Sequence, residues 1–437
     1  MSARHRTVAA LVVVTVLLII VPRPAAGAPA RSGEDPAAAR DRELTDLYEK
    51  IGDLYERTPI DYAAIIRLYE RVAALAPGSE DAKGALAEIY HIYKDRGQWP
   101  AALAVLDRLD RTYPDTEPID VGNEPTSLKA VILAERGLYQ RDVARDYARA
   151  RARFEQLAAR YPDAIVSTDG FRGLGPEGYG GRAAPFARLA LAEVEARDGR
   201  PEVAEAILLA LIRNFPAERL LLYEGESYFD EAALLTLRRH ARQHGGPPPV
   251  AAYDRVAAES THEYVRVRAR ELAAEAQVEL AMALPAGDAA GRRARFEAAI
   301  ARYRELIDRH STFTFAFYGD TEHHAVRALD RLADLALRRL NDPARAVAEM
   351  DRVVLKHGQN ADLAAAALFV KANVLAFDLR DAAQAAQALR RIVEVYPEAR
   401  RYPMSLDSDE RVAEAAQALL DSGLAARPAP ASVPPHR

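Results

Sequence analysis

At 437 residues the chain is too long for one compact core, and a composition of 49% apolar and 28% charged residues fits a folded protein of several domains or one repeat array. The formal charge of −5, with the two signs interleaved, leaves no concentrated basic face for nucleic acid. Cysteine is absent, which excludes disulfides, thiolate metal sites, cysteine nucleophiles and a lipid anchor on an N-terminal Cys. Ala dominates the apolar share and aromatic residues make up only 7%. Ala loses no side-chain entropy in a helix, and Leu, Arg and Glu lose little, so an all-α protein is expected.

In chain order, Arg4, His5 and Arg6 precede an apolar run from Val8 to Val21, followed by Pro22 and the small-residue tract Ala25-Ala26-Gly27-Ala28-Pro29-Ala30. A charged start, a short apolar stretch and an A-x-A exit describe a secretory signal peptide over residues 1–30, cut after Ala28 or Ala30. An uncleaved anchor is the rival reading, and membrane contact follows only in that case. As helix the run reaches about 21 Å, short of the roughly 30 Å hydrocarbon core. Export into the periplasm or another extracytoplasmic space is therefore expected. Losing the segment removes three arginines and leaves a charge of −8. Residues 31–41, rich in Ala, Pro and Gly, read as a flexible linker.

Beyond the linker, one pattern recurs: a small or apolar residue, a bulky one four positions on, an aliphatic one three further, and a closing residue after four more. It occurs as Ile65, Tyr69, Val72, Ala76-Pro77, then Ala102, Leu106, Leu109, Tyr113-Pro114, and Ala150, Phe154, Leu157, Tyr161-Pro162. It returns as Ala204, Leu208, Leu211, Phe215-Pro216, and without proline as Ala299, Tyr303, Leu306, His310 and Ala346, Met350, Val353, His357. The last copy is Ala385, Leu389, Ile392, Tyr396-Pro397. These steps place all four side chains on one helical face, and the proline ends the helix. A second helix precedes several copies, marked by Tyr48, Ile51-Gly52 and Tyr55, by Leu86, Ile89-Tyr90 and Tyr93, and by Phe369, Ala372 and Ala376.

Together the two helices resemble the tetratricopeptide repeat, whose first helix reads W-x2-L-G-x2-Y and whose second reads A-x3-F…P, over about Leu44 to Pro397. Gly52 matches the small residue that lets the two helices approach; Tyr90 departs from it. The resemblance implies a right-handed superhelical solenoid of antiparallel helix pairs, with a concave groove that holds extended peptides or partner helices. Closing positions 37 and 40 residues apart at the two ends (Pro77 to Pro114, His357 to Pro397) lie near the family period. Wider intervals in the middle point to insertions. The expected organisation is repeats over 42–216 with a Gly-rich loop at 163–185, a helical insertion and Pro/Gly hinge over 217–250, repeats and a capping helix over 251–420, and a disordered Pro-rich tail over 421–437. Within the middle, Tyr228 to His244 and Val250 to Leu284 read as two helical stretches divided by Gly245-Gly246-Pro247-Pro248-Pro249.

Chemical motifs are few. Gly173-Leu-Gly175-Pro-Glu-Gly178 matches G-x-G-x-x-G, but its flanks are loop and Pro176 sits inside, so an inter-repeat excursion is expected rather than a phosphate cradle. His323-His324 are adjacent and would point about 100° apart on a helix, poor for sharing a metal. No catalytic, cofactor or metal residue is assigned, and no small-molecule substrate. The candidate partner-binding residues are Asp46, Glu49, Asp53 and Glu56, spaced along one face of the first helix, with His91 and Lys94 following in the next repeat by family register. Phe313, Phe315 and Phe317 join them, clustered with Tyr318 at period-two spacing; a plug between repeats and a solvated acidic stripe are the plainer readings of these two groups. The expected function is an extracytoplasmic scaffold that holds protein or peptide segments, including envelope proteins, in bacterial cell-envelope assembly or maintenance. An accessory peptidoglycan-binding solenoid without a catalytic domain is the alternative.

Overall fold

A computed structural model describes residues 35–121, 124–172, 178–222, 225–317, 320–402, 404–405 and 410–423. The expected signal peptide 1–30 and all but the first residues of the expected tail 421–437 lie outside them. Among the described residues no helix is long and apolar enough to cross a membrane. The chain divides into two compact units, Met1–Thr112 and Tyr113–Arg437.

The first unit holds four helices, α1 (Pro36–Tyr55), α2 (Tyr62–Leu75), α3 (Glu80–Asp95) and α4 (Trp99–Thr112), each packed on the next. Helix α1 starts inside the segment expected to be a linker. Asp35 caps it by accepting the Ala37 N–H, and Pro36 occupies the first turn, where its missing N–H costs nothing. The alanines that follow favour helix rather than a flexible stretch. Asp61 and Ser79 cap α2 and α3 in the same manner.

The second unit continues with α5 (Leu128–Tyr139), α6 (Tyr147–Arg160), α7 (Ala183–Arg197), α8 (Pro201–Asn214), α9 (Phe229–Gln243), α10 (Val250–Glu259), α11 (Glu263–Ala283) and α12 (Ala289–Arg309). It ends with α13 (His324–Asp334), α14 (Pro343–His357), α15 (Ala361–Asn373), α16 (Ala382–Val395) and the capping helix α17 (Val412–Asp421). The first three positions of all seven pattern copies are buried. At the fourth position the backbone leaves helical geometry while its N–H still reaches back four residues, as in Tyr161 to Leu157, Phe215 to Leu211, His310 to Leu306 and Tyr396 to Ile392. His310 does this with no proline after it, whereas His357 stays helical and its helix ends at Gly358.

Two expectations for the middle of the chain are corrected. Val250 to Leu284 is two helices rather than one: the chain turns at Ser260, whose hydroxyl accepts the His262 N–H, so α10 packs back on α11. The Gly-Pro run is a turn and not a hinge. Gly245, with φ of 66°, and Gly246 close the end of α9, their N–H groups bonding to Arg242 and Ala241. Phe229 and Leu237 before the run share one hydrophobic core with Tyr253, Val265 and Leu272 after it.

Short strands occupy several connections between pairs, a feature absent from the sequence expectation. They are β1 (Pro118–Val121) with β2 (Glu124–Ser127), β3 (Ile165–Ser167) with β4 (Tyr179–Arg182), β5 (Arg219–Leu222) with β6 (Gly225–Tyr228), and β7 (Thr314–Phe317) with β8 (Asp320–His323). A last strand, β9 (Met404–Ser405), joins β8. Antiparallel pairing links β3-β4-β5-β6 into one sheet and β7-β8-β9 into another. The bases of the first three hairpins are built alike: the first residue of the following helix bonds back to the residue ahead of the first strand, as Leu128 to Glu117, Ala183 to Ala164 and Phe229 to Glu218. The G-x-G-x-x-G stretch falls between β3 and β4, with residues 173–177 outside the described set.

Candidate partner-binding surfaces

In the first unit, Asp46, Glu49, Asp53 and Glu56 are all exposed on α1, opposite the buried Leu44, Leu47 and Ile51. None of the four carboxylates takes part in an ion pair or hydrogen bond among the described residues, so their charge is open to solvent. His91 does not extend it. It is only 2% exposed, edge-on to the Tyr90 ring at 5.3 Å, while the Lys94 ammonium lies 5.8 Å from the same ring. The family register places His91 on an open face, but the bulk of Tyr90, where the family has a small residue, fills the helix interface instead. Gly52, the apparent match to that small residue, is exposed, and a Cβ there would meet nothing within 4 Å. The close approach occurs at Gly137 on α5, whose Cβ would lie 2.8 Å from the Phe154 ring.

In the second unit the phenylalanine segment is strand β7. Phe315 stacks on Tyr264 with centroids 3.9 Å apart and meets Tyr228 at 6.3 Å; Phe313 stacks on His324 at 6.0 Å and packs against the core. These two rings seal the junction between a hairpin and the helices beneath it and form no open patch. Phe317 ends β7 opposite Asp320. Period-two spacing is the mark of a strand, and it is the tertiary packing that turns one face inward.

Charge pairing, not foreseen from sequence, runs through this unit. Arg141 bonds Glu193 on α7 at 2.7 Å, and Glu193 also takes Arg239 on α9 at 2.7 Å. Glu271 on α11 is almost fully buried and receives Arg327 of α13 through two bonds of 2.6 Å, with Arg268 and His324 beside it. Burial pushes its carboxyl up, but His324, Arg268 and Arg327 outweigh that and hold it well below the usual range. His323 and His324, adjacent in sequence, part company at the β8–α13 junction. His324 faces Glu271, while His323 meets the Tyr402 ring at 5.3 Å. Among the described residues no group of three or more His, Cys, Asp or Glu is arranged to hold a metal ion.

A cavity of about 590 Å³ lies in this unit between the start of β7 and the start of α15. It is lined by Ser311, Thr312, Thr314, His323, Lys356 and His357, with Gln359 to Asp362 closing the far wall.

Paired helices with a small-residue approach at Gly137 and an aromatic close at Tyr161 recur at α15 and α16. Both stretches, residues 135–164 and 366–399, match the family model of the tetratricopeptide repeat. Over these two stretches the chain carries tetratricopeptide repeats. Among solved structures, the repeat protein is similar to a monomeric mutant of IFIT1 with Gppp-AAAA, 10% identical, covering 88% of this chain and 78% of that one at a TM-score of 0.29. It is also similar to the TPR domain of P58(IPK), 14% identical, covering 89% and 98% at a TM-score of 0.20. No curated protein matches it. Tetratricopeptide repeats mark a protein-interaction scaffold, and the fold is all-α and repeat-like, with strands confined to its connections.

Proposed function

We propose that this repeat protein is an exported scaffold that holds basic segments of other proteins, serving assembly or maintenance of a bacterial cell envelope. The observation that carries the reading is the unpaired stripe of Asp46, Glu49, Asp53 and Glu56 on the first helix of a repeat stack. Four carboxylates left without cations keep their charge available for a partner, and steer a basic segment toward it. The sequence of residues 1–30 supports export. No catalytic step is part of this reading.

The test is capture of partners from envelope extracts by the chain lacking residues 1–30, against a variant with all four positions changed to Lys. Proteins retained by the first and lost from the second support the scaffold; identical sets from both overturn the role of the stripe. Fractionation of cells with N-terminal sequencing of the recovered chain decides export: a cytoplasmic chain beginning at Met1 removes the envelope role.

A further inference from the structure

The cavity between β7 and α15 is lined almost entirely by polar side chains, yet its charges already answer one another. Lys356, Arg352 and His357 converge on Asp308 at 2.9, 3.0 and 3.0 Å. Burial pushes the Asp308 carboxyl up, but the bonds from His357, Lys356 and Arg352 prevail and bring it down to about 2. Asp362 accepts the Arg400 N–H at 2.8 Å and the Tyr402 hydroxyl at 3.1 Å. Asn360 caps α15 through the Leu363 N–H and donates to the Ser311 carbonyl.

What remains uncommitted is neutral. The hydroxyls of Thr312 and Thr314 and the amide of Gln359 have no hydrogen-bond partner among the described residues. The N–H groups of Ala361 and Asp362, in the first turn of α15, have no acceptor there either. His323 is 3% exposed, and its Nδ1 is without a partner. Burial lowers the pKa of that ring, which keeps it a neutral donor and acceptor. A buried polar atom left unsatisfied costs about 1–3 kcal/mol, so the His323 Nδ1 calls for a ligand or water, beside hydroxyls and an amide that are open to one.

We infer that this cavity is a subsite for a neutral saccharide, whose hydroxyls meet Thr312, Thr314, Gln359 and the first N–H groups of α15. An anion would find the nearby ammonium and guanidinium already held by Asp308. A polyhydroxyl ligand needs donors and acceptors in alternation, which hydroxyls, a planar amide and a neutral imidazole provide. A volume of about 590 Å³ has room for one or two sugar rings. This goes beyond the scaffold reading, and it is tested without a protein partner.

The experiment titrates the full chain with N,N′-diacetylchitobiose, with cellobiose and with acetyl-dialanine as a charged probe. The imidazole resonances of His323 and His357 are followed by NMR. The inference expects at least one disaccharide to move both resonances saturably, and a Thr314→Val/Gln359→Leu variant to weaken that binding by about tenfold. Both positions are exposed and unbonded, so the variant should keep its thermal melt; a changed melt calls for the Thr312→Val variant in its place. Silence from both disaccharides up to tens of millimolar overturns the inference. So does a response to the charged probe alone, or a sugar response that the variants leave unchanged.

Discussion

Helices α1 and α7 each open a repeat pair, yet α1 buries three of its 20 residues and α7 buries eleven of its 15. The first unit joins its helices by short turns; the second inserts strand pairs at the entrances of α5, α7, α9 and α13. Helix α1 packs on α2, whereas α7 packs on both α6 and α8, so more of α7 goes inside and the charged residues it carries go with it. Those charges then need partners. Exposed ion pairs occur in both units, Arg213–Glu259 among them in the second, but the second also holds buried ones. In the first unit Arg71–Glu43 leaves its side chains 58% and 42% exposed, whereas in the second Arg141–Glu193 leaves 7% and 14%. The same repeat spacing therefore accommodates both exposed and buried ion pairs, and the helices packed around each pair decide which.

The largest expected effect tests what the units share. Phe154→Ala empties a fully buried ring site against Gly137 and should cost about 3–5 kcal/mol in urea unfolding. A loss under about 1 kcal/mol would show that the repeat spacing is not what holds the second unit together. Next comes the buried charge. Glu271→Gln strands Arg268 and Arg327 and should destabilise by roughly 3 kcal/mol. Its counterpart on the open surface, Glu43→Gln, is expected to cost under about 1 kcal/mol. Equal losses from these two substitutions would break the comparison.

Acid sharpens it further. His240 is buried, and burial first, then Arg239, lowers its pKa from 6.5 to about 4. A folded-state pKa below the unfolded one means that the unfolded chain takes up the proton first. The contribution of His240 is full above 6.5 and is lost as pH falls toward 4, on the order of 2 kcal/mol. Glu271 and Asp308, both held low, add a second loss below the ordinary carboxylate range near 4. Stability measured from pH 7 to pH 3 should fall in these two stages, and His240→Phe should flatten the first. The smallest effect is expected at Gly52→Ala, which meets open space on α1 and should stabilise by roughly 0.5–1 kcal/mol. Gly137→Ala, 2.8 Å from Phe154, should instead destabilise by about 1–3 kcal/mol.

Much of the helical frame was legible because it is local. A step of four, three and four residues fixes one face of a helix whatever surrounds it, and Asp, Ser or Pro at a start acts within its own turn. The acidic stripe on α1 was readable for the same reason, and so was the closing helix near residue 412. The β7–β8 hairpin has a local signal of its own: Phe313, Phe315 and Phe317 alternate as in a strand, and Gly319 follows within two residues. His91 lies inside rather than on the open face that family register implies, because Tyr90 breaks that register.

Sequence by itself determined which segments are rods, where most of them stop, and which side of each is oily. Only the folded arrangement decided which charges meet. Arg141 and Glu193 stand 52 positions apart, Arg327 and Glu271 56, and Asp308 gathers His357 from 49 residues away. Helical periodicity repeats every few residues and can be read in any window. A buried ion pair or a polar cavity depends on which distant neighbours pack together, and no local pattern carries that information.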